Sequence, residues 1–197
     1  FTFGVFGSIF LLAQFLQTVQ GYSPLEAGLR TLPWTVAPQL VAPLAGPLSD
    51  RIGGRPLLAL GLTLQATGLA LTASAMTTTV AYAELVPGFV LAGVGMGMVF
   101  APLANTVLGG VQRTQEGIAS GANNAIREIG GVFGIAVLAT VFAANGGFDT
   151  PQAFVDGTVP AVWVGAGVVA LGAVAALGLP GRRPDPLIAP ARTPAVA

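Results

Sequence analysis

The 197-residue sequence contains no histidine and no cysteine, and only 8% of its residues are charged. These absences exclude His or Cys metal sites, a cysteine nucleophile, a Ser-His-Asp triad and a disulfide framework. The eight basic residues, all arginine, are balanced by eight acidic ones, so there is no basic excess of the kind that marks a nucleic-acid-binding protein. We therefore expect no enzyme, no cofactor, no metal and no nucleic-acid partner.

The residues that are abundant point to a membrane protein. Hydrophobic residues make up 53% of the chain and the mean hydropathy is +0.78, values far from those of a soluble domain. A bilayer core of about 30 Å needs about 20 apolar residues in a helix. Six stretches meet that length and predict an all-α integral membrane fold: 1–20, 29–49, 57–76, 83–108, 118–143 and 159–179. The Pro/Ala-rich residues 180–197 are predicted to be a disordered tail.

The arginines predict the orientation of these spans. If the connecting segments alternate across the membrane, one side receives six arginines and the other receives only Arg30. The six are Arg51, Arg55, Arg113, Arg182, Arg183 and Arg192. The positive-inside tendency then places both ends of the chain in the cytoplasm and residues 144–158 outside an inner or plasma membrane. The first residue is Phe1 and lies in an apolar run, so we expect a longer polypeptide.

Glycine and proline suggest how the helices pack. Pro33, Pro38, Pro43 and Pro47 fall in one predicted span, which we expect to be bent. Three glycine pairs at spacing four predict close helix contacts: Gly93 with Gly97, Gly117 with Gly121, and Gly130 with Gly134. The GVGMG run at 93–97 lies inside an apolar span without a preceding strand, which favours packing over a nucleotide-binding loop.

Polar residues inside predicted spans are the candidate functional residues, because burying them in lipid is costly. The fifth span carries one helical stripe of such residues, namely Ser120, Asn123, Arg127, Gly130 and Gly134. Arg127 lies about 15 Å along this helix from Gly117. It either lines a cavity or belongs to a polar network that packs helices. Glu128 is the one acid placed well within a span and is the candidate proton carrier.

A second polar stripe lies in the first span. It consists of Gln14, Gln17 and Thr18, which are spaced to share one helix face. Gln14 and Gln17 are candidates for hydrogen bonds to a substrate, and the competing interpretation is bonding between helices. Gln39 and Asn105 are weaker candidates, whereas Gln65 is expected to bridge helices and Glu84 to lie at the outer interface.

The sequence GPLSDRIGGRP at 46–56 resembles motif A of the major facilitator superfamily. Gly46, Asp50, Arg51, Gly53 and Arg55 match that motif, and Gly54 stands where its first closing basic residue is expected. The stretches FLQTVQGYSPLEAGLRTLP and EGIASGANNAIREIGGVFGIAVLATVF resemble the fourteen-span drug/proton antiporter branch, the EmrB/QacA-like group. The resemblance implies the C-terminal, six-helix half of such a transporter.

This resemblance implies a proton-coupled exporter of amphipathic drugs that works by alternating access. Its partners would be the missing N-terminal half, membrane lipids and small amphipathic substrates, with protons as the coupling ion. In this half the substrate and proton pathway would use Gln14, Gln17, Asn123, Arg127 and Glu128. Asp50, Arg51 and Arg55 would form a cytoplasmic latch with Arg113 as a possible partner, unless the motif is only a topology anchor. A transporter for a siderophore, lipid or metabolite and a non-transporting scaffold or truncated product remain alternatives.

Overall fold

The structure, a computed structural model, describes residues 1–108 and 112–178 and is built of α-helices. There are seven: α1 (Thr2–Thr18), α2 (Pro24–Arg30), α3 (Leu32–Ile52), α4 (Gly54–Ala75), α5 (Tyr82–Leu108), α6 (Glu116–Asn145) and α7 (Pro151–Leu177). A short 3-10 turn, Arg113–Gln115, leads into α6. The prediction of an all-α fold is confirmed. The predicted tail, 180–197, lies outside the described residues.

Each predicted span contains one long helix. Four segments are long and apolar enough to cross a membrane: α4, residues Tyr82–Phe100 of α5, α6 and α7. The helix α1 is apolar but has 17 residues. The helix α3 carries Pro38, Pro43 and Pro47 in its interior and is nevertheless continuous. The count of six spans therefore stays a prediction for α1 and α3.

Two helix starts differ from the sequence prediction. The last long helix begins at Pro151 rather than at 159, because Thr150 caps it by accepting a hydrogen bond from the backbone N–H of Ala153 (3.1 Å). Residues 24–30 form α2, which ends before α3 begins. A capping box starts α2: the Ser23 hydroxyl accepts from the Glu26 N–H, and the Glu26 carboxylate accepts from the Ser23 N–H.

The long helices pack in two groups of three. In one group α5 lies against both α3 and α4, and in the other α1 lies against both α6 and α7. The two groups are joined chiefly where α4 packs against α7, with a smaller contact between α5 and α6. On the side opposite the α4–α7 contact, α1 faces α3 and α5 across a cleft.

Glycines bring the helix backbones together within each group. A Cβ atom added at Gly68 would lie 2.7 Å from the Gly88 carbonyl oxygen, which shows how closely α4 approaches α5. In the GVGMG run, Gly93 and Gly97 lie against α3, and Gly95 lies against α4. These contacts agree with the packing interpretation of that run.

The other two glycine pairs differ from each other. Gly130 and Gly134 pack against Thr2 and Phe3 of α1, as their spacing predicts. For Gly117 and Gly121 a close contact stays a prediction, because a Cβ atom on either would meet no atom of the described residues within 4 Å.

Candidate functional site

The cleft between α1, α3 and α5 is the candidate site. Its volume is about 480 Å³, and its walls include Val5 and Ile9 of α1, Trp34 and Gln39 of α3, and Met96 and Phe100 of α5. Most of this lining is apolar or aromatic, and the Gln39 side chain, which is exposed, supplies an amide. A cavity with large apolar walls and few polar groups is suited to an amphipathic small molecule.

The wall formed by α3 and α5 is tightly packed. Trp34 is 1% exposed, and its ring lies 6.0 Å from that of Phe89, centroid to centroid. Gly93 and Gly97 of α5 lie against the backbone of α3 near Trp34 and Pro38, where a Cβ atom would clash. These contacts hold α3 and α5 together, so we expect the two helices to move as one unit.

Arg127 lies at one end of the cleft. Its guanidinium carbon is 5.2 Å from the centroid of the Phe100 ring, a cation–π contact. Its backbone oxygen accepts a hydrogen bond from the Thr2 hydroxyl (2.8 Å), which fixes α6 against the start of α1. The Nε atom is buried and has no hydrogen-bond partner among the described residues. A buried guanidinium nitrogen without an acceptor marks a place where an acceptor is needed.

The rest of the predicted Arg127 stripe does not reach the cleft lining. Gly130 and Gly134 are covered by α1, whereas Ser120 is exposed and Asn123 is half-buried on the first turns of α6. Glu128, the predicted proton carrier, is exposed on a different face of the helix. Of the predicted α6 residues, the structure therefore brings Arg127 to the cleft.

The predicted glutamines of α1 also lie apart from the cleft. Gln17 is exposed, and its side-chain amide donates to the Ala13 carbonyl of its own helix (3.0 Å). Gln14 is half-buried, and neither residue belongs to the described lining.

Sequence reasoning gave Gln39 little weight and missed Trp34, Met96 and Phe100 of the lining. Apolar residues that line a cleft have the same sequence pattern as residues of a core. The helical periodicity of α3 and α5 carries no signal that separates the two.

The motif at 46–56 forms a direct link between two helices. Asp50 and Arg51 are exposed on the last turn of α3, and Arg55 is exposed on the first turn of α4. Gly53 is the one residue between the helices, with φ of 91° and ψ of 151°, and its N–H donates to the Ser49 carbonyl (2.8 Å). That conformation is essentially restricted to glycine, which accounts for the glycine at this position.

The side chains of two predicted residues, Asn105 and Arg113, lie outside the described part of the structure. The backbone of Arg113, the predicted latch partner, opens the turn before α6.

Known proteins identify the family to which this bundle belongs. Residues 1–196 match the sequence profile of the Major Facilitator Superfamily. Over 142 residues the chain is 37% identical to the multidrug resistance protein Stp of Mycobacterium tuberculosis, which covers 72% of the chain and 26% of Stp. It is 36% identical over 157 residues to a probable actinorhodin transporter of Streptomyces coelicolor, covering 78% and 27% of the two chains.

A third relative is the cephamycin export protein CmcT of Amycolatopsis lactamdurans, with 39% identity over 134 residues, or 67% of this chain and 27% of CmcT. The matched segment thus spans about a quarter of the length of each of these relatives. The family profile matches nearly the whole sequence. The helical architecture of the described residues, with apolar helices long enough to cross a membrane, agrees with this match. The chain belongs to the major facilitator superfamily of membrane transporters.

Proposed function

We propose that the chain is the C-terminal half of a secondary transporter that exports amphipathic, drug-like compounds in exchange for protons. The two halves would rock about a site at mid-membrane and expose it alternately to each side. Three relatives support this class of cargo: a multidrug resistance protein, a probable actinorhodin transporter and a cephamycin export protein.

The observation that carries the proposal is the cleft between α1, α3 and α5. Its aromatic walls suit the apolar body of a cargo molecule, and the Gln39 amide can bond a polar group. Arg127, whose Nε has no acceptor among the described residues, lies at one end of the cleft, where it can donate to an acceptor on the cargo or on the other half of the transporter. Asn123, Gln14, Gln17 and Glu128 remain predictions for the substrate and proton pathway.

The orientation and the latch are part of the same proposal. We place the Gly53 end of the bundle in the cytoplasm and the Arg30 end outside, following the arginine distribution. Asp50, Arg51 and Arg55, exposed beside the one-residue link at Gly53, would then make contacts that break when the cytoplasmic side opens. The expected result of Asp50→Asn in the complete protein is altered accessibility of the cytoplasmic side. Unchanged transport and accessibility would leave only the topology-anchor role.

Efflux of an amphipathic fluorescent dye from cells that express the complete protein tests the function. We expect efflux that stops when an uncoupler collapses the proton gradient. Ala42→Trp, which fills the cleft, should abolish efflux, and Ala170→Trp, on the opposite face of the bundle, should not. Efflux insensitive to the uncoupler would contradict proton coupling. Absence of transport for dyes but activity with a siderophore, lipid or metabolite would contradict drug export.

A further inference from the structure

Arg30 is held between two tyrosine rings at the end of the bundle opposite Gly53. Its guanidinium carbon lies 3.8 Å from the centroid of the Tyr22 ring and 4.8 Å from that of Tyr82. The Tyr82 hydroxyl also donates a hydrogen bond to the backbone oxygen of Arg30 (2.9 Å). Tyr82 therefore holds Arg30 through both its side chain and its backbone, whereas Tyr22 contacts only the guanidinium.

A further hydrogen bond crosses the bundle beside this cluster. The side-chain amide of Gln20 donates to the Val80 carbonyl (2.9 Å). Gln20 and Tyr22 belong to the connection that follows α1, Val80 belongs to the connection between α4 and α5, and Tyr82 is the first residue of α5. We call Gln20, Tyr22, Arg30 and Tyr82 the Arg30 strap.

The strap joins the two helix groups at the open side of the bundle. Among the described helices, α1 packs against α6 and α7, and the main contact between the groups is that of α4 with α7. On the cleft side, the strap ties the connection after α1 to the last residue of α2 and to the start of α5. Trp34, which lines the cleft, follows Arg30 by four residues and lies just beyond Thr31, the residue that separates α2 from α3.

We propose that Arg30 is a positioning residue for transport, which holds the two helix groups together at this end and keeps the cleft narrow there. Opening would separate the guanidinium from Tyr22 and break the bond from Gln20 to Val80. Arg30 would stay with Tyr82, because two contacts hold that pair. This inference concerns the conformation of the bundle. Only its consequence, that the strap controls the access of cargo to the cleft, rests on the proposed function.

Distance measurements between spin labels in the complete protein, reconstituted in lipid nanodiscs without cargo, test the strap. Labels at Thr18→Cys and Ala83→Cys, two exposed positions, report the separation of α1 from α5. We expect Arg30→Gln to raise the population of longer distances about tenfold, since it removes both cation–π contacts. Arg30→Lys keeps a cation and Tyr82→Phe keeps both rings, so each should stay closer to the parent distribution.

A control pair separates opening from unfolding. Labels at Ser74→Cys and Ala83→Cys lie on α4 and α5 within one helix group, and their separation should stay constant in every variant. An unchanged distribution between α1 and α5 in folded Arg30→Gln would overturn the proposal. So would an equal effect of Arg30→Lys, or a change of the control pair. If the distances shift as expected but dye efflux is absent, the export function fails and the strap stands.

Discussion

Replacing Gly68 by alanine is expected to push α4 away from α5. The added Cβ atom would lie 2.7 Å from the Gly88 carbonyl oxygen and 2.8 Å from the Cα atom of Ala92. Nonbonded carbon atoms prefer separations of about 3.5–4.0 Å, so the backbones must part by roughly 1 Å. Both neighbours are backbone atoms, and no change of rotamer can relieve the contact.

The cost follows from this geometry. Overpacking of a close interface costs about 1–3 kcal/mol. For a unit of this size, 1 kcal/mol corresponds to about 2–4 °C in melting temperature, so a cost near 2 kcal/mol lowers it by about 4–8 °C. The effect is measured as the melting temperature of the complete protein in detergent. Size-exclusion chromatography of heated samples gives this temperature.

A matched glycine provides the control. Gly167 lies within α7, and a Cβ atom there would meet no described atom within 4 Å. Gly167→Ala should leave the melting temperature unchanged or raise it slightly, because alanine favours the helix by up to about 1 kcal/mol. If Gly68→Ala melts at or above Gly167→Ala, the close approach of α4 to α5 and the reasoning built on it are refuted.

Three further experiments test other parts of the structure. Gly53→Ala should cost about 1–3 kcal/mol, because φ is 91° there, while the neighbouring Gly54→Ala should cost less; the same melting assay decides. Hydrogen bonds from Ser23 lower the pKa of Glu26 below its ordinary 4.5. The ionised Glu26 carboxylate therefore stabilises the cap of α2 above pH 4.5, and this stabilisation is lost as the pH falls through the lowered pKa. Amide hydrogen exchange in α2, corrected for intrinsic rates, should become faster in acid. Exchange that does not change with pH after this correction would contradict the prediction. Gln39→Ala should raise the KM for efflux about three- to tenfold, and Gln17→Ala, outside the cleft, should not.

The long helices could be predicted from the sequence because each is a long apolar run. The residues at which the helices begin are harder to predict from the sequence, although capping signals are present. Ser23 and Glu26 have the spacing of a capping box, and Thr150 with Pro151 is a typical helix start. Gln152 and Asp156 precede the apolar run at 159–179, so the predicted span begins about two turns after the start of α7.

The candidate site was predicted only in part, because a cleft depends on how helices are placed. Arg127 was found because a charge inside an apolar helix is unusual. Trp34 and Phe100 carry no such signal. Gly68 and Gly95, which make some of the closest backbone contacts, belong to no glycine pair at spacing four. Gly117 and Gly121 have that spacing, although no atom of the described residues lies within 4 Å of a Cβ added at either. Arg30 was seen only as a marker of orientation, since Tyr82 is 52 residues away.

Photo-crosslinking tests the central claim, that cargo occupies the cleft between α1, α3 and α5. A photoreactive phenylalanine derivative is placed at Gln39, in the cleft, or at Leu60, on the outer face of α4, in the transport-competent complete protein. We predict that a radiolabelled amphipathic drug crosslinks at position 39, that unlabelled drug competes for it, and that position 60 gives only non-competable background. Competable labelling at position 60 with none at position 39 would contradict the account.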